Sequence, residues 1–160
     1  GGGYFEGGNI TPTAEFNIYV DPHATNAVLK CGRPIVMMPL DVTHKALMQP
    51  KWLEGLRDLG SAVGDAAYGM MSFYERFDLE KYGSNGGPLH DPTVIAYLLK
   101  PELFDGRDVN VEIEIHSELT MGMTVVDWWN VTGRQPNVTY KNQINSNSFF
   151  QLILDRLSLL

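Results

Sequence analysis

The sequence predicts an α/β fold, and three observations carry that prediction. The first forty residues read as loop, helix and buried strand in succession. Residues 109–115 alternate strictly between apolar and polar side chains, the period of a strand with one solvated face. Around them lie stretches with apolar residues at helical spacing.

Each element has its own warrant. Asp21-Pro22 reads as an N-cap followed by proline at the first helical position. Ala24, Ala27, Val28 and Cys31 then share one face, with Gly32 where a C′ glycine belongs. Cys31 is expected to be a small core residue of that stripe. Residues 34–40 are continuously apolar between prolines, the pattern of a strand buried on both faces of a parallel sheet. Residues 42–59 read as helical with an interruption at Pro50. Residues 61–77 place Val63, Ala66, Ala67, Met70, Tyr74 and Phe77 at helical spacing. Residues 83–88 are a loop. His90-Asp91-Pro92 starts a helix with Val94, Ile95, Leu98 and Leu99 on one face, stopping at Lys100-Pro101. The alternating strand at 109–115 is expected near a sheet edge, with further strands at 124–129 and 137–144. Phe150, Ile153, Leu154 and Leu157 make a closing amphipathic helix. The order implies a single α/β unit over residues 1–160, with a sheet incomplete at its N-terminal side.

Composition narrows the function classes. With 44% hydrophobic and 19% charged residues the chain reads as an ordinary globular protein. Its net charge of −7 argues against tracking a nucleic-acid backbone or holding to an anionic membrane surface. The lone Cys31 excludes an internal disulfide and suits a reducing compartment such as the cytoplasm. The opening Gly-Gly-Gly-Tyr-Phe-Glu-Gly-Gly has the character of a functional loop between packed elements. The chain is therefore expected to be one piece of a larger protein, with a strand before the loop.

Two segments could carry chemistry. Asn9, Glu15, Phe16 and Asn17 place two carboxamides, a carboxylate and an aromatic within nine residues. Such groups read sugar hydroxyls, which both donate and accept, and an aromatic can cover a furanose face. The alternative is a solvated loop whose Asn and Glu cap backbone groups. In the second segment, Asp91 is either a plain N-cap or an oxygen ligand for a hard cation. His90 beside it is either a loop histidine or a proton donor to a leaving group.

Taken together, the motifs resemble a known family. Gly8-Asn9-Ile10-Thr11-Pro12-Thr13-Ala14-Glu15-Phe16-Asn17 with Asp21-Pro22 is similar to the signature loop of the inosine-uridine-preferring nucleoside hydrolases. Pro39-Leu40-Asp41-Val42-Thr43-His44, Leu89-His90-Asp91-Pro92 and Thr124-Val125-Val126-Asp127-Trp128-Trp129 follow in the family's order. The resemblance implies the C-terminal half of a nucleoside hydrolase domain, part of an open, mostly parallel Rossmann-like sheet flanked by helices. It implies hydrolysis of the N-glycosidic bond of ribonucleosides, with calcium as cofactor. Asn9, Glu15 and Asn17 match ribose-binding residues and Phe16 an aromatic near the sugar. Asp91 matches a calcium ligand that also faces substrate, His90 a histidine of the nucleobase pocket implicated in protonating the leaving base in some members, and Tyr74 a residue bordering the base pocket. All are expected to converge on one pocket.

One departure is large. The family's aspartate-rich motif is absent, and no Asp-x-Asp or Asp-Asp pair occurs in the sequence. A single carboxylate cannot supply the roughly six to eight oxygens calcium takes. The chain alone is expected to be inactive and to need a companion N-terminal polypeptide or homo-oligomeric packing. The competing expectation is a non-catalytic homologue that binds a sugar or a partner chain.

Overall fold

The computed structural model describes residues 1–82 and 86–160, excepting the side chains of residues 74–82. The chain forms two compact units, residues 1–42 with 104–143 and residues 43–103 with 144–160.

The first unit holds an open four-stranded sheet in the order β1-β4-β2-β3. Its strands are β1 (Val36–Met37), β2 (Phe104–Ile113), β3 (Thr124–Asp127) and β4 (Val138–Ile144). β1 runs parallel to β4, and β2 antiparallel to β3 with Val111 opposite Val126. Two helices, α1 (Phe16–Val20) and α2 (Pro22–Leu29), flank it. Ile18, Leu29, Met37, Val111, Ile113 and Tyr140 lie in its core. The Asn137 side chain ties α2 to β2: it donates to Leu29 O (3.2 Å) and Val111 O (2.9 Å) and accepts from Val111 N (2.8 Å).

The predicted α/β architecture holds, with local corrections. The apolar run at 34–40 yields only a two-residue edge strand, with Val36 41% exposed. Pro34 and Pro39 have no N–H for a ladder, which confines pairing to the residues between them. The alternating strand, expected near an edge, is β2 and lies inside the sheet. Alternation reports one wetter face, not a missing neighbour. On α2 the expected stripe is exposed, Cys31 included. Pro22 and Leu29 are buried instead, one helical repeat apart, because the helix turns its largest aliphatic side chain inward.

The second unit is helical: α4 (Pro50–Arg57), α5 (Ala62–Tyr82), α6 (Pro92–Leu99) and α7 (Ser146–Leu157), with a 3-10 turn at Pro101–Leu103. The short α3 (Leu40–Thr43) lies where the chain passes from the first unit to the second. Pro50 opens α4 at its first turn rather than breaking a longer helix. Leu53 and Leu56 of α4 and Phe149, Phe150 and Leu152 of α7 are buried, with Trp52 stacked on Phe150 at 5.5 Å. The stripe expected to bury α6 is exposed, Leu98 by 72%. Thr93 and Ala96 face inward, because small side chains let the helix backbone approach its neighbours. Ala66 and Met70 of α5 are likewise exposed. The helix stop at Lys100-Pro101 is where the proline rule puts it.

Val111 is fully buried in β2. Val111→Ala removes both γ-methyl groups and should lower stability by about 2 kcal/mol, read by chemical denaturation. A loss below about 0.5 kcal/mol would mean that this core is not packed as described.

Candidate functional site

The first fifteen residues form no helix or strand, so their backbone donors must find partners outside regular structure. Two buried carboxylates provide them. Glu15, 4% exposed, caps α1. Its Oε1 accepts from Asn17 N (3.0 Å) and Asn17 Nδ2 (3.1 Å). Its Oε2 accepts from Gly2 N (2.9 Å) and Ile18 N (3.3 Å). Asp41, 3% exposed, accepts from Tyr4 N (3.0 Å), Glu6 N (2.7 Å) and the Tyr140 hydroxyl. Thr124 Oγ1 accepts from Gly3 N at 3.4 Å, and Leu40 N donates to Gly2 O at 2.8 Å.

The second half of the loop folds onto one carbonyl. Asn9 N, Ile10 N and Thr11 N donate to Ala14 O at 3.1, 3.3 and 3.4 Å. Asn9 Oδ1 accepts from Phe16 N at 2.8 Å. A Cβ on Gly8 would lie 2.2 Å from Thr11 O and 2.4 Å from both N and O of Ala14. Those atoms are backbone and cannot swing aside, so only glycine fits.

Asn9, Glu15, Phe16 and Asn17 thus gather around the start of α1. The capping role weighed from sequence is real for Asn9 and Glu15, but Glu15 is buried and its loop is tightly bonded. A carboxylate offers about four lone-pair positions, and here each oxygen already takes two donors. Phe16 and Asn17 are exposed and carry the outward-facing chemistry.

In the second unit, His90 Nδ1 is 2.8 Å from the hydroxyl of the buried Thr43, and the His44 ring stands 5.8 Å away. A cavity of about 350 Å³ is lined by Met48, Leu89, His90, Asp91 and Pro92 among others. Asp91 is exposed and makes no cap bond to α6. Its backbone is already helical, at φ −62° and ψ −41°, and the His90 carbonyl takes the first-turn donors instead, Thr93 Oγ1 at 2.6 Å and Thr93 N at 3.2 Å. Asp91 therefore stands at the N-cap position before Pro92, as read from sequence, but without a side-chain cap bond. The side chain of Tyr74 lies outside the described residues. Among the described residues no group of three or more His, Cys, Asp or Glu side chains could hold a metal ion.

Three residues escaped assignment from sequence: Asp41, Thr43 and Thr124. Each sits in a segment already noted for resemblance, and a lone acidic residue closing an apolar run was the available signal for Asp41.

Comparison with known proteins places the chain in a family. A sequence profile described as inosine-uridine preferring nucleoside hydrolase matches residues 1–151. The chain belongs to that family. It is 47% identical over 156 residues to an uncharacterized protein of Schizosaccharomyces pombe, covering 98% of this chain and 50% of the relative. It is 45% identical over 158 residues to the pyrimidine-specific ribonucleoside hydrolase RihA of Enterobacter sp. strain 638, again covering 98% and 50%. Its structure matches a purine-preferring ribonucleoside hydrolase from Gardnerella vaginalis with a TM-score of 0.88 at 26% identity, covering 99% of this chain and 50% of that one. The chain spans about half the length of the relatives it matches.

Gly8→Ala is expected to lower stability by more than about 2 kcal/mol in chemical denaturation, because backbone must move to admit the methyl. Thr43→Val removes the partner of His90 Nδ1 and should cost about 1 kcal/mol by the same measurement. Wild-type stability in either variant would contradict the corresponding contact.

Proposed function

We propose that this chain is the sugar-reading and base-protonating half of a ribonucleoside hydrolase, which splits the N-glycosidic bond to give nucleobase and ribose. The observation that carries the reading is the family match over residues 1–151 together with the loop that gathers Asn9, Glu15, Phe16 and Asn17 at one helix start. In this reading the exposed Asn17 amide and the Asn9 carboxamide meet ribose hydroxyls, and Glu15 holds both the loop and the Asn17 side chain in register. Phe16, 51% exposed beside them, covers the sugar's apolar face. His90, its Nδ1 side fixed by Thr43, donates a proton to the departing base. Water attacks the anomeric carbon as positive charge builds on the sugar, and protonation of the base lowers that barrier.

Calcium is the family's implied cofactor, and Asp91 is its candidate ligand here. The described residues do not make a calcium site: Asp91 is one carboxylate where roughly six to eight oxygens are needed. The remaining ligands and the general base are ascribed to a companion N-terminal polypeptide or a second copy. The two-residue edge strand β1, exposed at Val36, is where a further strand could add. No helix among the described residues is long and apolar enough to cross a membrane. The lone thiol, exposed and reduced, suits the cytoplasm. The missing ligands favour one second reading for the isolated chain, a non-catalytic piece that binds sugar or its partner.

The full-length polypeptide should release base from inosine or uridine and lose that activity on calcium chelation. The 160-residue chain alone should show no turnover. In the full-length enzyme, Asn17→Ala should lower kcat/KM by about tenfold or more with thermal stability nearly unchanged. Absence of activity toward both nucleosides, or indifference to Asn17→Ala, would reject the reading.

A further inference from the structure

We infer that Asp41 is a positioning residue for the sugar-reading loop, its buried carboxylate fixing Tyr4 and Glu6 and thereby where Asn9 is placed. The inference rests on the reading that Asn9 and its neighbours grip a ribose, and it names a residue outside that contact set.

Asp41 lies at the start of α3, thirty-five residues beyond Glu6 in the chain, so its bonds to the loop are tertiary. Every partner described for its carboxylate is a donor: Tyr4 N on Oδ2, Glu6 N on Oδ1 and the Tyr140 hydroxyl on Oδ2. That environment requires a group that only accepts, which a carboxylate is and a carboxamide is not. Tyr140 is fully buried on β4, and burial first, then the Asp41 charge, push its pKa far above the ordinary value. The phenol therefore stays protonated and remains a donor throughout the working pH range.

The segment from the pin to Asn9 has no slack. Gly7 takes φ +71°, Gly8 N donates to Pro12 O at 3.2 Å, and Gly8 is wedged against the backbone of Thr11 and Ala14. A displacement at Glu6 is therefore carried to Asn9, whose Oδ1 is itself held by Phe16 N. Glu15 fixes the same loop nearer its beginning, through Gly2 N. Among the described bonds that tie the loop to residues beyond it, those of Asp41 lie nearer Asn9 on its N-terminal side than that of Glu15. It touches no group that meets the sugar, and it acts through the loop.

Asp41→Asn keeps the shape and turns one acceptor into a donor facing donors. In the full-length protein, amide hydrogen exchange at Tyr4 and Glu6 should quicken by about tenfold or more, while amides in β2 and β3 keep their protection. For inosine or uridine, KM should rise about tenfold with kcat changed by less than about threefold. Tyr140→Phe leaves Asp41 its two amide partners and should show the same pattern at roughly a third of the size; it decides the matter if Asp41→Asn does not fold. Unchanged exchange at Tyr4 and Glu6, exchange quickened throughout the protein, or a loosened loop with unaltered KM would each overturn the inference. A wild-type enzyme without nucleosidase activity would reject the functional reading instead, and the exchange measurement would still judge the anchor.

Discussion

A loop without regular structure can be buried only if its backbone donors are satisfied, and here two carboxylates do that work. Glu15 and Asp41 are buried charged side chains: Glu15 takes Gly2 N from the opening loop and three donors from the start of α1, and Asp41 takes Tyr4 N and Glu6 N from the loop and the Tyr140 hydroxyl from β4. An unpaired buried carboxylate would cost several kcal/mol, so each acid is as dependent on the loop as the loop is on it. The consequence is a rigid loop built without a β ladder or helix of its own. Its glycines follow from the same constraint, since Gly3 and Gly8 run too close to other backbone for any side chain.

This arrangement fixes the exposed groups at the start of α1, which the proposed reading assigns to ribose. Side chains that must read hydroxyls need fixed positions yet open faces, which secondary structure on both sides would deny them. Glu15 reconciles the two demands: buried itself, it bonds the exposed Asn17 through both backbone and side chain. Glu15 Oε1, by accepting from the Asn17 side-chain amide at 3.1 Å, fixes its orientation, which in the proposed reading reduces the entropy lost on binding ribose.

Much of the fold was legible because period and punctuation survive in the sequence. The proline stop after Lys100 and the amphipathic α7 fell where local rules put them, while the alternation at 109–115 located a strand that runs from Phe104 to Ile113, its first five residues lying outside the alternating pattern. Which face of a helix is buried was not legible for α2 and α6, where the apolar stripe is exposed and Pro22, Leu29, Thr93 and Ala96 point inward. Periodicity finds a stripe, but tertiary packing chooses the face, and small residues permit the closer approach. The cluster of polar residue types from Asn9 to Asn17 was legible, and the structure gathers it at the start of α1. Asp41 was not, because its partners are backbone amides and a phenol about a hundred residues away in sequence.

The two Asp-Pro pairs show the limit of local signals most clearly. Asp21-Pro22 and Asp91-Pro92 both read as N-cap and N1, and only the first caps with its side chain. Asp21 has an extended backbone, φ −148° and ψ 82°, and its Oδ1 takes Ala24 N at 2.8 Å. Asp91 has helical backbone angles and its carboxylate makes no cap bond, and the His90 carbonyl meets Thr93 in its place. Shifting the cap from a side chain to a carbonyl costs the helix little, because the first turn keeps its acceptor. It leaves a carboxylate uncommitted to its own helix, beside a histidine braced by Thr43. Capping would stabilise the helix start, so the two aspartates differ in what their carboxylates do, and the proposed reading gives the one at position 91 to a cation or the substrate.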